Sequence, residues 1–523
     1  MITENIIGGV NSGKGTETLQ AISPVTRTSL PGVFQKATLS EINLAVEAAH
    51  EAWKTFKKVS GKEKASFLRD IVSEIKALGN ILVERAMKES GLPEGRIVGE
   101  IGRTCNQLIA FSDLVEEGSW VNAVIDQTIP ERKPLPRIDI RKMATALGPV
   151  VVFTASNFPL AFSTAGGDTA SAFAAGCPVI VKGHPSHLGT NALVAEAIVN
   201  AVRKNNLPEG IFSSLQGGIE TGVQLVNHPL VKAVGFTGSY AGGKALFDIA
   251  NLRPEPIPVY AEMGSNNPIF LFPEKLKTET QSIANSISNS VNLGAGQFCT
   301  NPGIIVVEKG KAYDAFVEVL KVEFEGLKPG TMLNEGIFKG YENEKNTCVH
   351  LPGTEMLFEG APANGEWNGS PSFASVSAQH FLDNKDYQKE VFGPFTLLVI
   401  CDDEMEFLRV GKMLNGQLTA TLMATPDELE KASELVEILS QKAGRVIFNG
   451  VPTGVEVCHA MHHGGPFPTT TNSLCTSVGT DAIRRFGRPV SFQNMPDKLL
   501  PRELKRGNPL GIWRKVNGKM TKG

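Results

Sequence analysis

Three stretches of this chain end in a turn and then present a reactive side chain. The apolar run Val150–Phe153 leads into Ser156-Asn157-Phe158-Pro159, and Pro258–Ala261 leads into Glu262-Met263-Gly264. The small, flexible run Gly294-Ala295-Gly296-Gln297 leads into Phe298-Cys299-Thr300. Ends of strands are where open α/β sheets place their chemistry. Cys299 supplies a thiolate that can attack a carbonyl, and the Asn157 amide supplies a donor for the oxyanion that results. Glu262 supplies a carboxylate that can draw a proton from water. Together these residue types predict acyl chemistry through a thioester.

Such side chains need a scaffold. From Gly148 to Gly264 strand and helix patterns alternate: strands at 150–154, 179–182, 212–215 and 231–236, helices at 163–175, 189–204 and 240–250. This alternation predicts a parallel sheet covered on both faces, a Rossmann-like nucleotide-binding half. A second α/β stretch from about 265 to 475 carries Cys299 and Glu390, so the nucleophile is expected at the cleft between two halves. Residues 40–90 read as outer helices, with Leu39-Ser40-Glu41 as the cap and Phe67, Ile71, Ile75 and Leu78 at helical spacing. Between 126 and 147, alternating charge and bulk with three prolines predicts a projecting hairpin.

A length of 523 residues allows roughly three domains. Lys+Arg 51 against Asp+Glu 54 leaves a formal charge of −3, which gives no reason to expect nucleic acid or an acidic membrane surface as partner. No apolar run is long enough to span a bilayer and the N-terminus has no leader pattern, so a cytoplasmic enzyme is expected. Seven cysteines without a Cys-x-x-Cys argue for reduced thiols. Cys105, Cys177, Cys348, Cys401 and Cys475 read as inert core residues.

Gly238-Ser239-Tyr240-Ala241-Gly242-Gly243-Lys244 follows a strand and opens a helix, so its amides can face a pyrophosphate. It nearly spells a Walker A loop, but Ala245 stands where that loop needs a hydroxyl for Mg²⁺, and residues 8–15 fail in the same way. Dinucleotide folds that prefer NAD place a carboxylate after the second strand. Here Val179-Ile180-Val181 runs into Lys182 with no acid following, which favours NADP and leaves NAD as the alternative. Cys458-His459-Ala460-Met461-His462-His463 crowds its candidate ligands into one short run, whereas a tetrahedral metal site draws on separated segments, so no metal is expected. Arg103, Gln107 and Phe111 recur every four residues, which puts them on one helix face. Arg103 is therefore a candidate clamp for a substrate carboxylate, against the plainer reading of a buried structural ion pair.

Six ordered pieces carry a resemblance to the aldehyde dehydrogenase superfamily over nearly the whole chain. They are Ser156–Pro159, Val181-Lys182, Phe236-Thr237-Gly238-Ser239 with Gly243, Glu262–Gly264, Gly296–Cys299 and Glu390-Val391-Phe392-Gly393-Pro394-Phe395. Pro452–Met461 and Asn508–Arg514 make the finer likeness one to the 2-oxoglutarate semialdehyde (2,5-dioxopentanoate) dehydrogenases. The resemblance implies Cys299 as nucleophile, Asn157 and the Cys299 N–H as oxyanion donors, and Glu262 as the deacylating base. It implies cofactor contacts at Ser156, Lys182, Gly238, Ser239, Gly243, Phe392 and Glu390, the last on the nicotinamide ribose, and substrate contacts at Phe158 beside Arg103 and Gln107.

It further implies a cofactor domain at 1–125 and 147–264 and a catalytic domain at 265–478. An oligomerisation arm and tail at 126–146 and 479–523 would be completed by a strand at Val490–Phe492, in a homodimer or homotetramer. The expected reaction is NAD(P)-dependent oxidation of 2,5-dioxopentanoate to 2-oxoglutarate. The alternatives are another aliphatic or semialdehyde substrate, a reductive acyl-group enzyme, or a nonenzymatic binding protein of the same fold.

Overall fold

The computed structural model describes residues 2–361 and 367–523. Two seven-stranded sheets organise the chain. In the first, the strands lie in the order Val259–Glu262, Ala233–Thr237, Val150–Phe153, Val179–Lys182, Phe212–Leu215, and these five are parallel. Asn5–Ile7 and Val10–Ser12 extend it antiparallel at one edge. Chain order reverses beside Val150–Phe153, between the first strand of the unit and the fourth. The loops after those two strands splay apart at such a switch point and leave a crevice for a ligand. They carry Ser156-Asn157 and Gly238-Ser239, so the sequence motifs and the topology point to the same place. Both faces are covered, which is why Val150, Val151 and Val152 are all buried and no polar alternation marks this strand.

The second sheet runs Glu355–Glu359, Ser372–Ser377, Phe395–Cys401, Ile304–Glu308, Ile269–Leu271, Gln417–Met423, Ala443–Phe448 and is parallel except at the Glu355–Glu359 edge. The α/β fold expected from the alternation is the one observed.

Two helix starts differ from expectation. The first helix begins at Leu39, and Thr38 caps it, its hydroxyl accepting the Glu41 N–H at 3.3 Å while Glu41 accepts from the Thr38 N–H at 2.8 Å. That reciprocal box places the cap one residue before the Leu39-Ser40-Glu41 signal. The helix expected from Ser163 begins at Gly167, because the chain folds back first and Gly167 N–H donates to Ala161 O at 3.1 Å. A Cβ on Gly166 would lie 2.5 Å from that same carbonyl, so glycine is what allows the turn.

The hairpin arm forms as expected: Val124–Asp126 pairs with Ile140–Ala146, and Gly487–Gln493 adds to the other side of Ile140–Ala146. Two strands not foreseen complete a five-stranded sheet: Arg514–Val516 pairs along Val124–Asp126, and Lys519–Thr521 pairs on the outer side of Arg514–Val516. Cys105, Cys177, Cys348 and Cys401 are buried thiols, while Cys475, expected in the core, lies partly exposed in a turn between Asn472 and Thr476. Among the described residues no helix is long and apolar enough to cross a membrane.

Candidate active site

Cys299 sits beyond a backbone that only small residues can follow. Gly294, Ala295 and Gly296 take φ of 57°, 56° and 68° in succession, a left-handed run that costs an alanine on the order of 1–2 kcal/mol. Gly296 is also a close approach: a Cβ there would stand 2.2 Å from the carbonyl of Gly393. The Gly296–Cys299 motif and the Glu390–Phe395 motif are therefore two sides of one contact. Below the loop, Asn267 donates from Nδ2 to the carbonyls of Cys299 and Asn301, each at 2.9 Å, and holds the nucleophile's backbone in place.

Glu262 ends its strand and is buried. The segment Thr469–Thr471 runs alongside it, with Met263 N–H donating to Thr469 O at 2.7 Å and Thr471 N–H to Ala261 O at 3.1 Å. This pairing brings two residues from the far end of the chain onto the Glu262 carboxylate. His463 Nε2 lies 2.9 Å from Glu262 Oε1, and the Ser477 hydroxyl donates to Oε2. The same Nε2 is 3.5 Å from Cys299 Sγ, and one ligand atom from each of Glu262, Cys299 and His463 falls within 4.8 Å of the others.

The electrostatics separate the two acids of this cluster. Burial pushes the Glu262 carboxyl up, but the His463 ring and the Ser477 hydroxyl together outweigh it and hold the group below the usual carboxylate range. Burial and the adjacent Glu262 push the Cys299 thiol well above its ordinary value, with Arg103 pulling the other way. Glu262 is thus a ready base, and Cys299 rests as a thiol that must lose its proton to react.

Asn157 donates from Nδ2 to Gln297 O at 3.1 Å, which places its amide two residues from the nucleophile. An aromatic wall continues from these residues. Phe158 meets Phe162 at 5.2 Å and Phe298 at 5.4 Å between ring centroids, and Val455, Val457 and Met461 pack on the same cluster. Three residues of the Pro452–Met461 segment thus border the same wall.

Arg103 faces this wall, its guanidinium carbon 5.1 Å from the Phe162 centroid and 5.6 Å from that of Phe158. Its Nε and Nη2 are buried without a hydrogen-bond partner among the described residues. The buried ion pair that was the plainer reading does not form. Gln107 is buried one turn further along, its amide beside Gly167, where a Cβ would stand 2.8 Å from Nε2.

On the crevice side, Lys182 ends its strand, and burial pushes its ammonium down to about 8 with no carboxylate countering it. Neighbouring His184 is held well below its usual value by burial and by His187, so Lys182 supplies the positive charge here. Ser156 lies half-buried in the bend beyond Phe153. Ser239 caps the helix Tyr240–Asn251 by accepting the Gly242 N–H at 3.2 Å. A Cβ on Gly243 would meet Met263 Cγ at 2.6 Å, so that glycine serves the packing of helix on strand. Gly238 N–H is spent on the Glu262 carbonyl at 3.1 Å, and the Thr237 hydroxyl beside it is buried without a partner. Glu390 is reached only because residue 264 is glycine, where a Cβ would stand 2.2 Å from its Oε2. Burial pushes the Glu390 carboxyl up to about 7, with the Ser265 N–H at 3.3 Å as its one bond among the described residues. Phe392 is half-buried in the loop before Phe395–Cys401.

Sequence reasoning missed His463, Ser477, Asn267 and Arg96. Arg96 had a signal, since it stands seven residues before Arg103 on one helical face. His463 stands in a run that reads as a weak metal candidate or, by the family resemblance, as the lining of a pocket mouth, and neither reading makes it a partner of Glu262.

Residues 10–467 match the Aldehyde dehydrogenase family. Alpha-ketoglutaric semialdehyde dehydrogenase 2 of Azospirillum brasilense is 48% identical over 518 residues, covering 99% of each chain. Alpha-ketoglutaric semialdehyde dehydrogenase of Acinetobacter baylyi is 44% identical over 519 residues, covering 99% of this chain and 98% of that one. Among solved structures, 1-pyrroline-5-carboxylate dehydrogenase from Thermus with bound NAD superposes with a TM-score of 0.78 at 22% identity, over 94% of this chain and 92% of the other. With a cysteine, a base and an amide donor gathered at the cleft, and likeness running end to end through its relatives, this chain belongs to the aldehyde dehydrogenase family.

Proposed function

We propose that this enzyme oxidises 2,5-dioxopentanoate to 2-oxoglutarate through a Cys299 thioester, with NADP preferred over NAD. The observation that carries the substrate is the unpaired guanidinium edge of Arg103 beside the aromatic wall that leads to Cys299. A buried guanidinium edge without hydrogen-bond acceptors is costly, and a substrate carboxylate repays that cost. Two relatives named for the same semialdehyde, matched over almost their full length, support the assignment.

The residues act in sequence. The Cys299 thiol first gives up its proton to solvent; His463 Nε2, 3.5 Å from the sulfur, is committed as donor to the Glu262 carboxylate. The thiolate attacks the aldehyde carbon, and Asn157 Nδ2–H with the Cys299 backbone N–H holds the oxyanion. With a nicotinamide held in the crevice, a hydride acceptor would be available for the adduct to collapse to the thioester. Glu262, kept ionised by His463 and Ser477, then takes a proton from the water that cleaves the thioester and frees the carboxylate. A base so placed would destroy an acyl intermediate meant for reduction, which argues against the reductive alternative.

The crevice fits a dinucleotide. The partnerless Thr237 hydroxyl, the capped helix at Ser239, the lone Lys182 ammonium and the under-bonded Glu390 carboxylate are donors and acceptors that a phosphate and two riboses would satisfy. Lys182 with no acid nearby favours a 2′-phosphate. Lys182→Ala is then expected to raise KM for NADP several-fold more than KM for NAD. Equal increases in steady-state assays would mean that the lysine serves only groups common to both.

Arg103→Met is expected to lower kcat/KM for 2,5-dioxopentanoate by roughly one to two orders of magnitude, from a charge-assisted contact worth on the order of 1.5–3 kcal/mol. Pentanal, which has no carboxylate, should lose far less. Parallel losses on both aldehydes would make Arg103 a support of the fold or of Cys299. The same reading assigns the cofactor to the first sheet and the nucleophile to the second, supported by Lys182 at a strand end of the one and Cys299 just before a strand of the other. The five-stranded arm, whose edge strand Gly487–Gln493 is unpaired on its outer side, supports a homodimer or homotetramer. Seven free thiols suit the cytoplasm.

A further inference from the structure

Helix Glu94–Glu117 carries Arg96, Glu100 and Arg103 at spacings of four and three, so all three share one face. One carboxylate stands between two guanidinium groups, and both of its oxygens are already engaged. Glu100 Oε2 accepts from Arg96 Nη1 at 2.5 Å, and Oε1 accepts the backbone N–H groups of Leu160 and Ala161, each at 2.9 Å. Glu100 thereby anchors Arg96 to the turn that follows Phe158. Arg96 lies against the same wall as Arg103, its guanidinium carbon 4.5 Å from the Phe158 centroid and 5.3 Å from that of Phe298. Phe158 follows Asn157 and Phe298 precedes Cys299, so both cations border the path to the reacting carbon.

What each cation has left to give is different. Arg103 keeps Nε and Nη2, which lie on one edge of the guanidinium and donate in parallel, the pattern that grips a carboxylate. Arg96 keeps a single buried donor, Nη2, because Nη1 is spent on Glu100. Aromatic faces attract these cations but do not replace the missing in-plane acceptors. A 2-oxo acid presents a carboxylate and, on the next carbon, one further acceptor. We infer that Arg96 is a specificity-determining residue that donates from Nη2 to the 2-oxo oxygen of the substrate while Arg103 holds the adjoining carboxylate. This rests on the assignment of 2,5-dioxopentanoate as substrate. A site that bonds a substrate oxygen rejects the analogue lacking it, because its own buried donor is then left unpaired.

The test uses aldehydes of one length: 2,5-dioxopentanoate, 5-oxopentanoate, which keeps the carboxylate but lacks the oxo group, and pentanal, which has neither. Arg96→Met should cut the preference for 2,5-dioxopentanoate over 5-oxopentanoate, read as the ratio of kcat/KM values, by about tenfold or more. Arg103→Met should instead lower both acids relative to pentanal and leave the ratio between them much closer to wild type. An unchanged ratio in Arg96→Met, or a loss equal on all three aldehydes, overturns the inference and makes Arg96 a prop for Phe158. If Arg96→Met does not fold, Arg96→Gln, whose amide is too short to reach the same point, must lower the same ratio. A wild-type enzyme that prefers pentanal or 5-oxopentanoate would sink the substrate assignment itself, whatever Arg96 does.

Discussion

Replacing Cys299 by serine is expected to lower kcat/KM for every aldehyde by about a thousandfold or more, because a hydroxyl is a far poorer nucleophile than a thiolate near neutral pH. The substitution is nearly isosteric, and the left-handed Gly294–Gly296 run and the Asn267 bonds that shape the loop do not involve the sulfur. Cofactor affinity and melting temperature should therefore stay near wild type. Steady-state formation of reduced cofactor together with equilibrium binding makes the check. A serine variant that turns over at the wild-type rate would remove Cys299 from the reaction.

Glu262→Gln should spare the first half of the reaction and slow the second. Glutamine fills the same space but cannot take the proton of the attacking water, so steady-state kcat should fall by roughly 10²- to 10⁴-fold. Rapid mixing should show a burst of about one reduced cofactor per site, then slow turnover. Loss of the burst with cofactor still bound would place Glu262 in thiol activation instead. The pH dependence adds a second signature. A base whose carboxyl is held below the ordinary range works above its pKa and fails as pH falls through it, so deacylation in the wild type should weaken only in clearly acidic solution. Glu262→Gln should erase that acid limb.

Most of the frame could be read from the chain because its signals are local. Val150–Phe153 is four apolar residues before a turn, Ser239 precedes a helix, and Glu262 follows an apolar run; each needs only its neighbours to be interpreted. The residues that escaped notice are placed by distant parts of the chain. His463 reaches Glu262 because Thr469–Thr471 pairs beside the end of a strand some two hundred positions earlier, and neither segment encodes the other. Ser477 arrives by the same route, bonded through its N–H to His463 O at 2.9 Å. The strands Arg514–Val516 and Lys519–Thr521 were missed for a different reason: they are short and polar and lie on an exposed sheet, so no apolar alternation marks them. The Gly167 helix start was misplaced because Ser163–Gly166 are small residues that suit a turn as well as a helix. Arg103 is marked by its spacing with Gln107 and Phe111, and the same helix face seven residues earlier carries Arg96.

The arm sheet also fixes an order of events during synthesis. Its central pair, Val124–Asp126 and Ile140–Ala146, leaves the ribosome early, but the strands that cover its two edges are Gly487–Gln493 and Arg514–Thr521. At about 5–20 residues per second, the interval lasts on the order of tens of seconds, while the whole second sheet is being made. Throughout that time the nascent hairpin offers two open edges, each a template for a strand from another growing chain. Its prolines and its Arg132, Lys133 and Arg137 charges are the features that discourage premature pairing. A message translated by several ribosomes at once therefore brings uncapped hairpins of sibling chains close together, and the final residues of each chain decide which of them close their own sheet.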